Sequence, residues 1–410
     1  MVRSALDARH FLVAMGNRAT AAAWLCAAAL VAGGAETAWA QQTPQPSSAP
    51  PEAEVAPSGA ASGSGAGESR ANAGDATASI PRTTDNTPSR WHGSILLFDQ
   101  SATTQTAHVG GDFQSYDPTY ELWLAFKPRY YLYETPKTAI SVNAWANLYL
   151  ELTNSDTTTT EREPLLGPTY AWVTYSRTFA RSKETKTVLS VGPRAVLPTD
   201  KASLGSGQFG GLGGLVSASQ FFGLRGASAR SFNSARVGVG AIYNHPFARA
   251  TSTTNENIQQ VRQDVAGRTI ISDVLTGSMN VKHALSLTAS GDLRLTPKLE
   301  FSASYVWLNA WGDRPPPVTV PTYTGPVKPM TVDDPQNYRL NIWAVAELTY
   351  EPTDDFSVSL GYYNLTNQLA PDGTRREPLW SPSARFFLTL TGNLDIIYAR
   401  IKGQPRAAAD

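Results

Sequence analysis

Five histidines, one cysteine and scattered carboxylates are the groups that this 410-residue chain offers for metal or covalent chemistry. His92 and His108 flank one segment of alternating residues, His245 opens a long polar stretch, and His283 starts another alternating segment. No two have the sequence spacing of metal ligands, so no metal and no cofactor is expected. A rim hydrolase would pair a histidine with serine or carboxylates, and His245 and His108 with Asp112 or Asp117 are the residues that could do so. Lone loop histidines are ordinarily solvated, and the expectation is that the chain is not an enzyme. Gly205–Gly214 is glycine-rich but lacks the lysine and following helix of a phosphate loop, and it reads as a flexible external loop. Cys26 follows Trp24 and Leu25, large residues where a lipid-anchoring cysteine needs small ones.

Cys26 belongs instead to an export signal. Arg3, Arg9 and Arg18 precede an apolar run from Ala21 to Val31, and Ala38-Trp39-Ala40 supplies a small-residue cleavage site. The run is too short to cross about 30 Å of hydrocarbon. Residues 1–40 are therefore expected to be a signal peptide cleaved after Ala40, leaving an exported chain without cysteine and hence without disulfides. Cleavage removes three of the 34 basic and two of the 34 acidic residues, for a net charge of −1. That balance gives no basic field for nucleic acid. Residues 41–90 are built of Pro, Ala, Ser, Gly and Thr without an aromatic residue, and read as a disordered periplasmic linker.

From Trp91 the period becomes two. In Thr138–Leu152, Ile140, Val142, Ala144, Ala146, Leu148 and Leu150 fall on one face and Ser141, Asn143, Trp145, Asn147, Tyr149 and Glu151 on the other. Tyr120–Tyr133, Leu285–Leu295, Leu299–Asn309, Leu340–Tyr350 and Phe356–Tyr362 repeat the pattern. Weaker segments are His92–Gln100, Tyr170–Phe179, Thr185–Val196, Leu215–Leu224, Ala235–Asn244 and Ala384–Leu394, which brings the strands to twelve. Short turns such as 134–137, 296–298 and 352–355 alternate with long polar loops at 101–118, 153–169, 197–214, 245–280, 312–338 and 368–383. One rim of tight turns and one of large loops predict an all-β, transmembrane, antiparallel up-and-down β-barrel over 91–400, rather than a soluble sandwich. Aromatics near strand ends, Trp172, Tyr175, Tyr305, Trp307 and Tyr363 among them, suit girdles at the lipid interfaces, whereas Trp123, Trp145 and Trp343 share the polar face and should fill the interior.

With its signal peptide, its alternating strands and the terminal segment Ala384–Leu394, the chain resembles mid-sized porin-like and small-solute transporter barrels of the Gram-negative outer membrane. Barrel chains of this kind often stop at an aromatic residue, but here Asp395–Asp410 continue. That tail reads as a periplasmic cap, or Leu394–Ile401 as a thirteenth strand after a Gly392-Asn393 turn; the cap is favoured because it keeps both termini on one rim, and 401–410 lie beyond the barrel as a C-terminal tail. Alternation turns Glu121, Lys127, Arg129, Glu151, Asp292, Arg294, Glu300, Arg339, Glu347 and Arg385 inward as candidate lumen-lining residues. The expected function is a passive, narrow pathway for small solutes, with outer-membrane lipid as the surrounding partner. The alternatives are a non-conducting structural or adhesin-like barrel and, last, the rim hydrolase.

Overall fold

The computed structural model describes residues 90–103, 119–153, 162–180, 185–223, 234–251, 259–263, 269–273, 280–312, 318–319, 329–330, 337–367, 378–380 and 384–402. The expected signal peptide and nearly all of the linker lie outside these residues, as do 403–410, His108, Asp112 and Asp117.

Twelve antiparallel strands form one closed up-and-down barrel. In chain order they are β1 (Ile95–Thr103), β2 (Tyr120–Lys127, resumed after Pro128 as Arg129–Glu134), β3 (Thr138–Glu151), β4 (Thr169–Ala180), β5 (Thr185–Leu197), β6 (Gln208–Gly223), β7 (Ser234–Ala248), β8 (Val281–Thr296), β9 (Leu299–Gly312), β10 (Tyr338–Thr353), β11 (Phe356–Asn367) and β12 (Arg385–Asn393). Each pairs with its neighbour in sequence, and β1 closes the sheet on β12 from Ile95↔Asn393 to Thr103↔Arg385. Closure removes sheet edges, which a sheet in lipid must do because hydrocarbon satisfies no free N–H or C=O. Pro128 interrupts β2 because it lacks the N–H that a ladder requires.

The pairing fixes the width. Side-by-side partners run from Glu151 through Glu121, Ser101, Phe387, Gly361, Glu347, Ser302, Asp292, Arg236, Phe221 and Lys186 to Ala180. Ala180 lies three residues past the Thr138–Arg177 pair, so the path returns to β3 at the level of Thr135, a stagger of 16 residues from Glu151. Twelve strands with that stagger tilt by about 45° and enclose a backbone cylinder roughly 24 Å across.

Burial alternates as the sequence predicts. Leu124, Phe126, Val142, Leu148, Leu189, Val191, Val216, Val239, Leu287, Phe301, Leu348 and Leu360 are exposed apolar residues on the outer face, an apolar surface that suits lipid rather than water. Ile342 and Ala344 share that outer parity yet are buried, because their cross-strand partners Trp307 and Tyr305 are large enough to cover them. Tight turns hold one rim, as where Thr135 N–H donates to Thr138 O at 2.8 Å. The other rim carries the long connections, including the hairpin Gln259–Gln263/Thr269–Asp273 and the short pair Val318–Thr319/Pro329–Met330.

One expectation about the elements needs correction. Gly205–Gly214 is not all loop: a short helix α1 (Lys201–Gly205) precedes β6, which starts at Gln208. Glycine hides a strand because it shows no alternation. Gly213 is needed there, since a Cβ would stand 1.9 Å from the Tyr243 carbonyl oxygen. At the other end, Leu394–Ile401 form a helix, α2, so the disfavoured thirteenth strand is absent and the count of twelve stands.

Candidate functional site

The site is the inner face of the barrel, and two aromatic clusters stand on it. On β2 to β4, Trp123, Trp145, Tyr170 and Trp172 are buried together around Ala125. Trp123 and Trp145 approach to 5.6 Å between ring centroids, and Trp123 stacks on Tyr149 at 6.1 Å. On β9 to β12, Val306, Trp343, Tyr363 and Phe387 form the second cluster. Trp172 and Tyr363 are thus interior residues, not members of a lipid-interface girdle. Strand β4 carries apolar residues on both faces, and alternation cannot tell which of them faces lipid.

Cations lie over these rings. Lys127 Nζ is 5.5 Å from the Trp145 centroid and 5.7 Å from that of Trp172. The Arg194 guanidinium lies 4.1 Å from the Tyr170 centroid, and its Nη1 donates to Asn244 Oδ1 at 3.3 Å. A cation over an aromatic face keeps favourable electrostatics where water is scarce.

The candidate residues fall into place strand by strand. Lys127, Glu151 and Asp292 are buried. Asp292 accepts from Arg236 Nε at 2.5 Å, both side chains being only 3–4% exposed. Arg385 Nη1 donates to Glu121 Oε2 at 3.2 Å, and Arg129 Nε to Asn143 Oδ1 at 2.8 Å. Arg294 pairs with Glu351 at 2.5 Å and lies 3.7 Å from Glu300. Glu347 accepts from Ser302 Oγ at 2.9 Å. Arg339 differs, standing exposed near the loop-side end of β10. Asp99, Lys186, Arg194, Arg236 and Glu351 belong with this set but were missed. Parity already carried Arg236, which alternates with Val237 and Val239, and Arg194, which shares a face with Ser190 and Gly192.

The wall from β5 to β8 is different. Between Arg194, Leu215 and Ile242 on the loop side and Lys186, Phe221 and Arg236 on the turn side, its inward positions include Ser190 and Gly192, Ser217 and Ser219, Gly238 and Gly240, then Ser286, Thr288 and Ser290. No large side chain rises from this patch. Several buried polar atoms of the interior, among them Ser101 Oγ, Trp145 Nε1, Ser290 Oγ and Trp343 Nε1, have no hydrogen-bond partner among the described residues. Leaving such groups without a partner costs about 1–3 kcal/mol each.

Outside the interior, the histidines are not isolated. His92 Nε2 is 2.9 Å from Glu134 Oε2 at the turn rim, and His245 meets His283 on the outer surface near the loop rim. The described residues include no group of three or more His, Cys, Asp or Glu placed to hold a metal.

No family model matches the chain, and no curated protein matches it. Solved structures do. An outer membrane channel from Pseudomonas putida F1 superposes with a TM-score of 0.45 at 9% identity, over 77% of this chain and 99% of that one. The KdgM porin (TM-score 0.30, 7% identity) covers 73% of this chain and 98% of its own, and the NanC porin (0.31, 10%) covers 73% and 99%.

Proposed function

We propose that the chain is an outer-membrane barrel providing a passive, narrow pathway for small solutes. The observation that carries this reading is the inner face of a closed twelve-stranded sheet with a patch of Ser, Gly and Thr along β5 to β8. Twelve strands lie between the side-chain-filled eight-stranded barrels and the open pores of sixteen or more. The aromatic clusters narrow the interior from β2 to β4 and β9 to β12, and the pathway runs along the small-residue wall opposite them. Glu121, Arg129, Arg294, Glu300, Glu347 and Arg385 face the interior beside it, with Arg339 at its loop-side mouth and Lys127, Glu151 and Asp292 buried behind them. Delivery to the outer membrane follows cleavage after Ala40, and residues 41–90 then form a periplasmic linker.

A second reading, a non-conducting structural barrel, draws on the ion pairs Arg236–Asp292, Arg385–Glu121 and Arg294–Glu351 and on the two clusters, which occupy much of the interior. Single-channel recording of the purified barrel in a planar bilayer decides between them. Discrete small openings are expected. A folded, heat-modifiable protein that passes no current would leave the structural barrel.

A further inference from the structure

A second set of chemically capable groups lies on the opposite face of the wall. Strand β7 ends with Tyr243, His245 and Phe247 pointing outward, and β8 begins with His283 beside them. His245 Nδ1 and His283 Nδ1 stand 3.3 Å apart, and the Tyr243 hydroxyl lies 2.7 Å from His283 Nδ1. Phe247 packs edge-on against His245 at 5.1 Å, Phe209 stacks on Phe247 at 5.9 Å, and Trp311 is the cross-strand partner of His283. The two imidazoles are thus held by ladders on both sides, within an aromatic band near the loop rim. Sequence spacing concealed them, because 38 residues separate two positions that the β7–β8 pairing makes neighbours.

We propose that His245 and His283 form a binding site for a divalent transition-metal ion with a preference for nitrogen ligands, of the Zn²⁺, Cu²⁺ or Ni²⁺ type. Two imidazole nitrogens about 2.1 Å from a tetrahedral ion lie roughly 3.4 Å from each other, close to the spacing already present between these Nδ1 atoms. Imidazole suits these ions, whereas Mg²⁺ and Ca²⁺ prefer oxygen. The Tyr243 hydroxyl occupies His283 Nδ1 when no ion is bound and must give up that hydrogen bond for the nitrogen to ligate, which leaves the phenol oxygen beside the ion. Two protein ligands leave the rest of the coordination shell to water or to an oxygen of a lipid phosphate. The site is independent of conduction, since it faces away from the interior.

The test is calorimetric titration of the full-length barrel, folded in detergent micelles, with ZnCl₂ and separately with MgCl₂. One equivalent of Zn²⁺ should bind and Mg²⁺ should not. His245→Ala and His283→Ala should each weaken Zn²⁺ binding at least tenfold, while His92→Ala leaves it unchanged. Zn²⁺ binding that persists in the double variant overturns the proposal, and so does the absence of saturable binding to the wild type. Should either variant fail to fold, Cu²⁺ electron paramagnetic resonance on the wild type reads the same question. Coupling to two nitrogens supports the site, and its absence overturns it. An inorganic phosphate titration of the Zn²⁺-loaded barrel in lipid-free detergent then distinguishes free phosphate from lipid as the source of further ligands.

Discussion

At the scale of single residues, the interior depends on a few close fits. Gly361 sits beneath the ring of Phe387, and a Cβ there would stand 2.2 Å from Phe387 Cζ. Gly361→Val should therefore destabilise the barrel by about 1–3 kcal/mol through overpacking. Adding Phe387→Ala should make the valine better tolerated, and urea unfolding followed by tryptophan fluorescence in micelles gives the double-mutant cycle. The Arg236–Asp292 pair carries a different kind of risk. Asp292→Asn leaves a buried guanidinium without its carboxylate, and about 3–5 kcal/mol should be lost. Replacing both residues together, with Arg236→Met and Asp292→Leu, should recover most of it by the same assay. A single and a double variant of equal stability would show that water already screens this pair.

At the scale of elements, the strands were legible where one face is greasy and the other polar, as in Thr138–Leu152. They were obscure where glycine or two apolar faces remove the contrast, as in β6 and β4. The charged residues of the candidate site could be placed by parity alone, whereas the aromatic clusters and the His245–His283 pair depend on which strands become neighbours. Helix α2 shows the same limit: Leu394–Ile401 carries too little pattern to separate a cap from a strand. One of its attachments is an ion pair. Arg400 Nη1 lies 2.6 Å from Asp355 Oδ2 in the β10–β11 turn, and a hydrogen bond from Thr353, supported by Arg400, holds the Asp355 carboxyl below its ordinary pKa. Asp395, half-buried beside Gly93, is pushed the other way by desolvation. A depressed carboxylate stabilises the folded form above its unfolded pKa and loses that contribution as pH falls through the folded value. Acidification below about pH 4 should thus loosen α2, and Asp355→Asn should loosen it at neutral pH. Amide hydrogen exchange of Leu394–Ile401 reads both. Protection unchanged in Asp355→Asn would mean that the helix is held by packing, for instance of Ile397 on Gly392.

At the scale of the whole molecule, sidedness and conduction are the remaining questions. Ala146 is exposed on the outer face of β3, and Ala146→Arg should cost about 2–4 kcal/mol if it lies near the bilayer midplane. Ser217 faces inward among Ser190 and Gly240 on the small-residue wall. Ser217→Trp should leave stability nearly unchanged and lower the single-channel current, because it fills the space that the pathway needs. Equal effects of these two substitutions on unfolding would mean that the faces are exchanged. The interior charges add a test of the field. Lys127, Arg129, Lys186, Arg194, Arg236, Arg294 and Arg385 are matched in number by Asp99, Glu121, Glu151, Asp292, Glu300, Glu347 and Glu351. An evenly balanced lumen should discriminate weakly between cations and anions, so one reversal of sign ought to be visible. Glu347 accepts a hydrogen bond from the neighbouring Ser302 hydroxyl. Glu347→Lys should shift the reversal potential towards anions, and the shift should shrink as added salt shortens the Debye length from about 10 Å at 0.1 M to about 3 Å at 1 M. A shift independent of salt would place Glu347 in a dry contact, and no shift at all would place it off the conducting path.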